Sequence, residues 1–458
     1  MGIAALSRKL TALAPAPIEH ILERIKSSPT GERLARGTFW TFTGTLFSRG
    51  LNMAAMILVA RLLGKSEFGE LGIIQSTVMM FQTLAGFGLG WAATKYVAEF
   101  RNSDPSKAGK IIGFSILTAA GTGGILSILF FATAPWLAAH TLAAPDLTRP
   151  LQISSLILFV STLAGTQTGV LAGFEAFNSI AKIGIISGLF SIPAIVGGAW
   201  FWGLEGAVWG MILSFAANWL LNRQTLKKVA NLANIRIWWT GCWEVRQILW
   251  GFSLPAVLGG TIMQIGNWAA NALLVNQQNG YAQMGFYNAA NQWFSALLFF
   301  PAILGQAAIP VLSERLGEKD IAASKKILIY STRLNGSIIF PLILAGSLGS
   351  TWIMGLYGEE FKLAWPTLVV TLIGAGIVAM QAPASQMISA SGKMWIALVI
   401  NLIFSTAFVL TAARIIDWGS LGLAVARSFA YCFYAYWSMW FAYGLVRPKR
   451  HEPKHDYT

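Results

Sequence analysis

Apolar runs of about twenty residues, the length a helix needs to cross a bilayer, recur from one end of this chain to the other. Within hydrocarbon a backbone must satisfy its own hydrogen bonds, so such runs fold as helices. Charged residues make up only 11% of the 458 residues. Soluble domains carry roughly a quarter, so soluble folds are excluded. Breaks at Gly, Pro and charged residues predict twelve helices: 38–60, 69–94, 110–134, 150–172, 178–201, 204–224, 249–275, 284–312, 325–352, 363–389, 394–414 and 419–445. The expected fold class is an all-α polytopic membrane protein.

The net charge of +14 would suit a nucleic-acid partner, but the positions of the charges exclude one. Of the 33 basic residues, 25 fall in the termini and the loops on their side, and 5 in the opposite loops: Arg61, Lys65, Arg149, Lys362 and Arg414. By the positive-inside rule both termini are expected in the cytoplasm. That makes 1–36 and 447–458 cytoplasmic segments. The remaining three, Arg49, Arg333 and Arg427, fall inside predicted helices.

An offset of 216 residues brings the chain onto itself. Gly44, Gly50, Gly64, Gly69, Gly203 and Gly206 meet Gly260, Gly266, Gly280, Gly285, Gly419 and Gly422, and Pro150 meets Pro366. Roughly two such glycine matches would arise by chance. The offset divides the chain into a six-helix lobe over 37–230 and another over 248–446. An even helix number makes the two repeats parallel, a transporter architecture with its site between the halves. Segment 231–247 joins them, and its Trp238, Trp239 and Trp243 suit an amphipathic stretch at the interface.

Enzyme and cofactor chemistry find little support. Cys242 and Cys432 have no metal-type spacing, and the four histidines fall in predicted loops and tails. "LLGKS" at 62–66 lacks the first glycine of a phosphate-binding loop, since Val59 stands there. Asp146, Glu359, Glu360 and Asp417 are scattered over different loops, whereas metal-dependent transferases need clustered carboxylates or histidines. No cofactor or metal is expected, and the sequence does not identify a coupling ion.

The polar residues inside helices are the candidate site. Thr38, Thr41, Thr45, Ser48, Arg49 and Asn52 form one stripe on helix 1, about 100° wide. Gln264, Asn267 and Asn271 form another on helix 7. Helix 8 adds Asn288, Asn291, Gln292 and Ser295, and helix 2 adds Gln75 and Gln82. Lipid offers such groups no hydrogen bonds, so they are expected to face protein or water. They could bond sugar hydroxyls or join packed helices. An arginine at mid-helix costs roughly 2.5–3.5 kcal/mol. At the 216 offset the arginines meet Ile265, Leu117 and Met211, so the repeated fold itself does not demand them. Arg333 shares a face with Lys326, Tyr330 and Ser337 and could also snorkel to the interface.

"ILVARLLGKSEFGELGIIQS" (57–76), "GLGWAATKYVAEF" (88–100) and "GQAAIPVLSER" (305–315) resemble the polysaccharide transporters, Wzx-like flippases of the multidrug/oligosaccharidyl-lipid/polysaccharide (MOP) superfamily. The resemblance implies two six-helix lobes around a central cavity. It implies transport of a polyprenyl-diphosphate-linked glycan across a bacterial or archaeal cytoplasmic membrane, alongside glycosyltransferases and a polymerase. No acidic residue inside a helix is a clear partner for the arginines, and diphosphate suits guanidinium. The expected contacts are Arg49, Asn52, Gln75, Gln264, Asn267, Asn271, Asn288, Asn291, Gln292, Arg333 and Arg427. The alternatives are a multidrug or cation exporter of the same superfamily, a membrane glycosyltransferase or polymerase, and a lipid II-type flippase.

Overall fold

Glycine sets the main bends of this molecule. The computed structural model describes residues 29–447 except 87 and 319, and its regular elements among these are all helical. Most of the two expected cytoplasmic segments, and the side chains of Thr38 and Thr41, lie outside the described residues. The N-terminal half contains α1 (Pro29–Gly86), α2 (Leu89–Phe100), α3 (Pro105–Trp136), α4 (Thr148–Gly173) and α5 (Phe177–Leu232). The C-terminal half contains α6 (Arg246–Val275), α7 (Gly280–Leu297), α8 (Phe299–Gly317), α9 (Ile321–Leu348), α10 (Ser350–Gly355), α11 (Trp365–Ala390), α12 (Met394–Ile415) and α13 (Gly419–Leu445).

Seven helical stretches among the described residues are long and apolar enough to cross a membrane. Three of them run 58, 56 and 52 residues, more than twice a crossing length. Each of these bends at a glycine: Gly64 (φ 72°, ψ 178°), Gly203 (φ 57°, ψ −138°) and Gly419 (φ 63°, ψ −136°). This region of positive φ with extended ψ is essentially reserved for glycine, and a side chain there would cost on the order of 1–3 kcal/mol.

The element ends differ from the sequence reading in several places, α5 for example running on to Leu232, past the expected 224. The first helix among the described residues begins at Pro29, ahead of the expected 38. The second is interrupted at Gly88, φ 64°, before continuing as α2. The expected helix 284–312 divides into α7 and α8, because Pro301 has no N–H to bond the Leu297 carbonyl.

The 216-residue offset is also visible in the geometry. Gly203 and Gly419 are offset mates with nearly the same φ and ψ. A Cβ at Gly69 would overlap the Tyr281 carbonyl, and one at Gly285 would overlap the Lys65 carbonyl. These contacts exchange under the offset, so a pseudo-two-fold axis passes between α1 and α7. Two glycines let the backbones touch there.

The lobes meet at the end of the bundle opposite the termini, here called the distal end. Arg61 Nε donates to the Leu356 carbonyl at 2.6 Å, and Lys65 pairs with Glu360 at 3.3 Å. On the other side of the axis Asn276 donates to the Thr141 carbonyl and Tyr281 to the Leu142 carbonyl, both at 2.7 Å. Phe68 of the N-terminal half packs its ring against Tyr357 and Phe361. All three side chains are buried, so the distal end is sealed by an aromatic plug.

The joining segment 231–247 follows α5 and leads into α6. It crosses α3 as an irregular strap that buries Ile235 and Cys242 and leaves Trp239 and Trp243 exposed.

Candidate functional site

In the N-terminal lobe, α1, α4 and α5 enclose a cavity of about 340 Å³. Ser48 and Asn52 reach it from the first arm of α1, Gln75 and Gln82 from the second, and Ser187 and Asn218 from the two arms of α5. Met56, Met79, Met211 and Phe215 supply apolar wall, and among the described residues no charged side chain lines it. Asn218 Nδ2 donates to Ser187 Oγ at 3.1 Å and its Oδ1 accepts from Asn222 at 2.8 Å. Gln75 Nε2 makes only a weak contact of 3.5 Å to Met211 Sδ. Thioether sulfur is a poor acceptor, so the Gln75 amide keeps most of its capacity for a ligand.

The equivalent place in the C-terminal lobe is filled. At the 216 offset Gln75, Val78, Met211 and Phe215 become Asn291, Phe294, Arg427 and Tyr431. Arg427 Nη1 donates to Asn291 Oδ1 at 2.6 Å and to the Tyr287 hydroxyl at 3.0 Å. Its Nε donates to the Tyr431 hydroxyl at 3.1 Å. The guanidinium lies 4.1 Å from the centre of the Phe294 ring, a cation–π contact in a desolvated setting. Phe294 and Phe404 both stack on Tyr431, at 5.7 and 4.8 Å. These described partners are all neutral, so they leave the positive charge uncompensated.

Arg49 bridges the lobes. Its Nη1 lies 3.4 Å from the Ser295 carbonyl of α7, and its guanidinium is 5.3 Å from the Phe299 ring. Ser295 stands one turn beyond Asn291 on α7, about 6 Å along the axis. Arg49 and Arg427 therefore converge on the same stretch of one helix. Arg49 is exposed, and no described carboxylate pairs with it.

The other expected residues separate into groups. Asn52 and Gln75 line the N-terminal cavity, and Asn291 joins Arg427. Asn271 Nδ2 donates to Ser76 Oγ at 2.9 Å, which ties the two lobes together. Asn288 faces its own offset mate, Gly72, and its Nδ2 is buried without a hydrogen-bond partner. Gln292 accepts from the buried Tyr357 hydroxyl at 3.1 Å, beneath the distal plug. Asn267 bonds back to the Met263 carbonyl of its own helix, and Gln264 is half-buried on α6. Arg333 is exposed on α9 and is not brought to the other two arginines.

Ser187, Ser214 and Asn218 are cavity residues that sequence reasoning passed over. The signal was the helical spacing of Met211, Ser214, Phe215, Asn218 and Asn222 along one face of α5. The aromatic setting of Arg427 gave no comparable signal, because Tyr287, Phe294 and Phe404 stand among other apolar residues.

The model of the polysaccharide biosynthesis protein family matches residues 34–315. The EPS I polysaccharide export inner membrane protein EpsE of Ralstonia nicotianae is 22% identical, over 84% of this chain and 88% of its own. The lipid III flippase of Escherichia coli is 21% identical, over 63% of this chain and 69% of its own. Among solved structures, an inward-facing multidrug resistance MATE family transporter of the MOP superfamily superposes with a TM-score of 0.73. It has 14% identity, over 89% of this chain and 96% of its own.

Proposed function

This chain belongs to the polysaccharide biosynthesis protein family, and from that premise we propose that it carries a polyprenyl-diphosphate-linked glycan across the cytoplasmic membrane. Its named relatives are an export protein and a flippase, and a transporter rather than an enzyme fits them. The two lobes rock about the α1–α7 axis and expose the site alternately to each side. With the termini in the cytoplasm, the distal end faces outward and the sealed state opens inward.

The observation that carries this reading is the pairing of two arginines having only neutral described partners with a cavity that no described carboxylate lines. A diphosphate completes the charge balance, since guanidinium binds phosphate oxygens in a bidentate fork. Sugar hydroxyls donate and accept, which matches the amides and hydroxyls of the N-terminal cavity. The polyprenyl tail stays in or beside the bilayer. A glycosyltransferase must supply such a substrate, and a polymerase or transferase must consume it. The second reading, export of an organic cation, asks for a carboxylate in the cavity, and none lines it among the described residues.

The test is export by Arg49 variants at measured membrane abundance. Arg49→Ala should stay folded and lose export, with lipid-linked glycan accumulating on the cytoplasmic face. Arg49→Lys should keep partial activity, because charge survives and the bidentate geometry does not. Arg49→Gln should behave as Ala. Full export by Arg49→Ala at normal abundance would overturn the proposal. Tolerance of Gln with loss of Ala protein would reduce Arg49 to a structural tie between lobes.

A further inference from the structure

The two lobes treat one equivalent groove in opposite ways. In the N-terminal lobe the chain itself covers the groove between α3 and the end of α5. Trp238 N donates to the Gly109 carbonyl at 3.3 Å, and Glu244 pairs with Lys110 at 2.6 Å. The Trp243 ring meets Phe114 edge-on at 5.3 Å. Gly109 and Gly113 allow this close approach, because a Cβ on either would overlap the carbonyl of Arg236 or Trp238.

At the 216 offset Gly109 and Gly113 become Lys325 and Ile329 on α9. Side chains now stand where the covering backbone would lie. The groove between α9 and α13 forms an open cavity of about 1210 Å³. Ile377, Cys432 and Met439 line it, and Lys325, Lys393 and Arg447 stand at the end that carries the termini. Among the described residues no acidic side chain lines it, and no carboxylate pairs with those three cations. The helix rises about 20 Å between Cys432 and its end at Leu445, two residues before Arg447, roughly the depth of one leaflet with its headgroup. Tyr436 and Trp440 are 62% and 61% exposed along that rise, where interfacial aromatic residues belong.

We propose that this groove holds an anionic membrane phospholipid. The headgroup phosphate sits among Lys325, Lys393 and Arg447, and an acyl chain lies along α13 past Met439 toward Cys432. Basic pockets between membrane helices on the cytoplasmic side recognise such headgroups. The lipid takes the place that the chain's own strap fills in the other lobe. The segment 448–458 is a poorer occupant by charge, because Lys449, Arg450 and Lys454 outnumber Glu452 and Asp456.

The test uses the full-length protein, stripped of lipid and offered phosphatidylglycerol or phosphatidylcholine, with bound lipid counted by native mass spectrometry. The wild type should retain phosphatidylglycerol about ten-fold or more over phosphatidylcholine. Lys325→Gln with Lys393→Gln should abolish that preference, and the corresponding pair of Arg substitutions should keep it. A chain ending at Arg447 should keep it too. Equal retention of the two lipids, or a preference that survives the Gln pair, would overturn the proposal. So would a preference that appears only after truncation, which would make the tail the occupant. Displacement of phosphatidylglycerol by an equimolar polyprenyl diphosphate would also overturn it, since the groove would then belong to the transported lipid.

Discussion

Met211 and Arg427 hold the same place in two copies of one fold, and the two places have opposite characters. Around Met211 the side chains Gln75, Phe215 and Asn218 stand back and leave a neutral cavity of about 340 Å³. Around Arg427 the mates Asn291 and Tyr431, with Tyr287 and Phe294, close over the guanidinium, and Phe404 stacks on Tyr431 behind them. Pairs that are Gln–Met in one lobe and Asn–Arg in the other span the same two helices. The repeat supplies the scaffold, and divergence leaves a neutral cavity in one lobe and a held charge in the other. A substrate with a hydroxyl-rich part and an anionic part needs both.

The comparison presupposes the common axis, so the largest effect should come from destroying that axis. Gly69→Val or Gly285→Val forces a branched side chain into backbone contact, and membrane abundance should fall below detection. Ala at either position should cost about 2 kcal/mol and reduce abundance several-fold. Gly50→Ala has open space around its Cβ and should be neutral on the same immunoblot. Equal loss at Gly50 and Gly69 would show that abundance responds to something other than the axis.

Copying one lobe into the other sharpens the comparison. Arg427→Met leaves the buried hydroxyls of Tyr287 and Tyr431 and the Asn291 amide without their donor, which should cost about 1–3 kcal/mol. Adding Asn291→Gln reproduces the N-terminal Gln–Met pair and should recover part of that abundance. Glycan export should remain at least ten-fold down in both variants. Recovery of export together with abundance would make Arg427 a packing residue.

How much was legible beforehand follows from which signals are local. Crossing-length apolar runs, the glycine offset and the three intrahelical arginines are written in single positions, and the fold followed from them. The polar stripe of α5 was equally local and was passed over, so the N-terminal cavity was seen from only one wall. The distal plug could not be read. Phe68, Tyr357 and Phe361 look like any other aromatics in an apolar chain until the lobes bring positions nearly 300 residues apart together. The same reason hid the ring cluster around Arg427, and it hid the groove beside α13, whose counterpart in the other lobe is covered by the strap.

Smaller effects are expected in the neutral receptor and at the sealed end. Asn218→Ala removes one amide from a wall that has several, and should lower export about three-fold at unchanged abundance. A loss as large as that from Arg427→Met would put the main recognition in the N-terminal lobe. Smallest should be Glu360→Gln, which breaks the exposed pair with Lys65. Exposed ion pairs contribute about 0–1 kcal/mol, and the distal end keeps its aromatic plug. Export should change less than two-fold, and a larger change would mean that this pair gates the outer side.

The central claim is that the two arginines supply a charge the substrate must answer. The most direct measurement is equilibrium binding of polyprenyl diphosphate and of the same polyprenol without phosphate, to wild type and to Arg49→Ala with Arg427→Met. The wild type should bind the diphosphate at least 100-fold more tightly, two charge-assisted contacts being each on the order of 1.5–3 kcal/mol. The double variant should bind both lipids alike. Equal affinity of the wild type for the two lipids, or an undiminished preference in the double variant, would contradict the account.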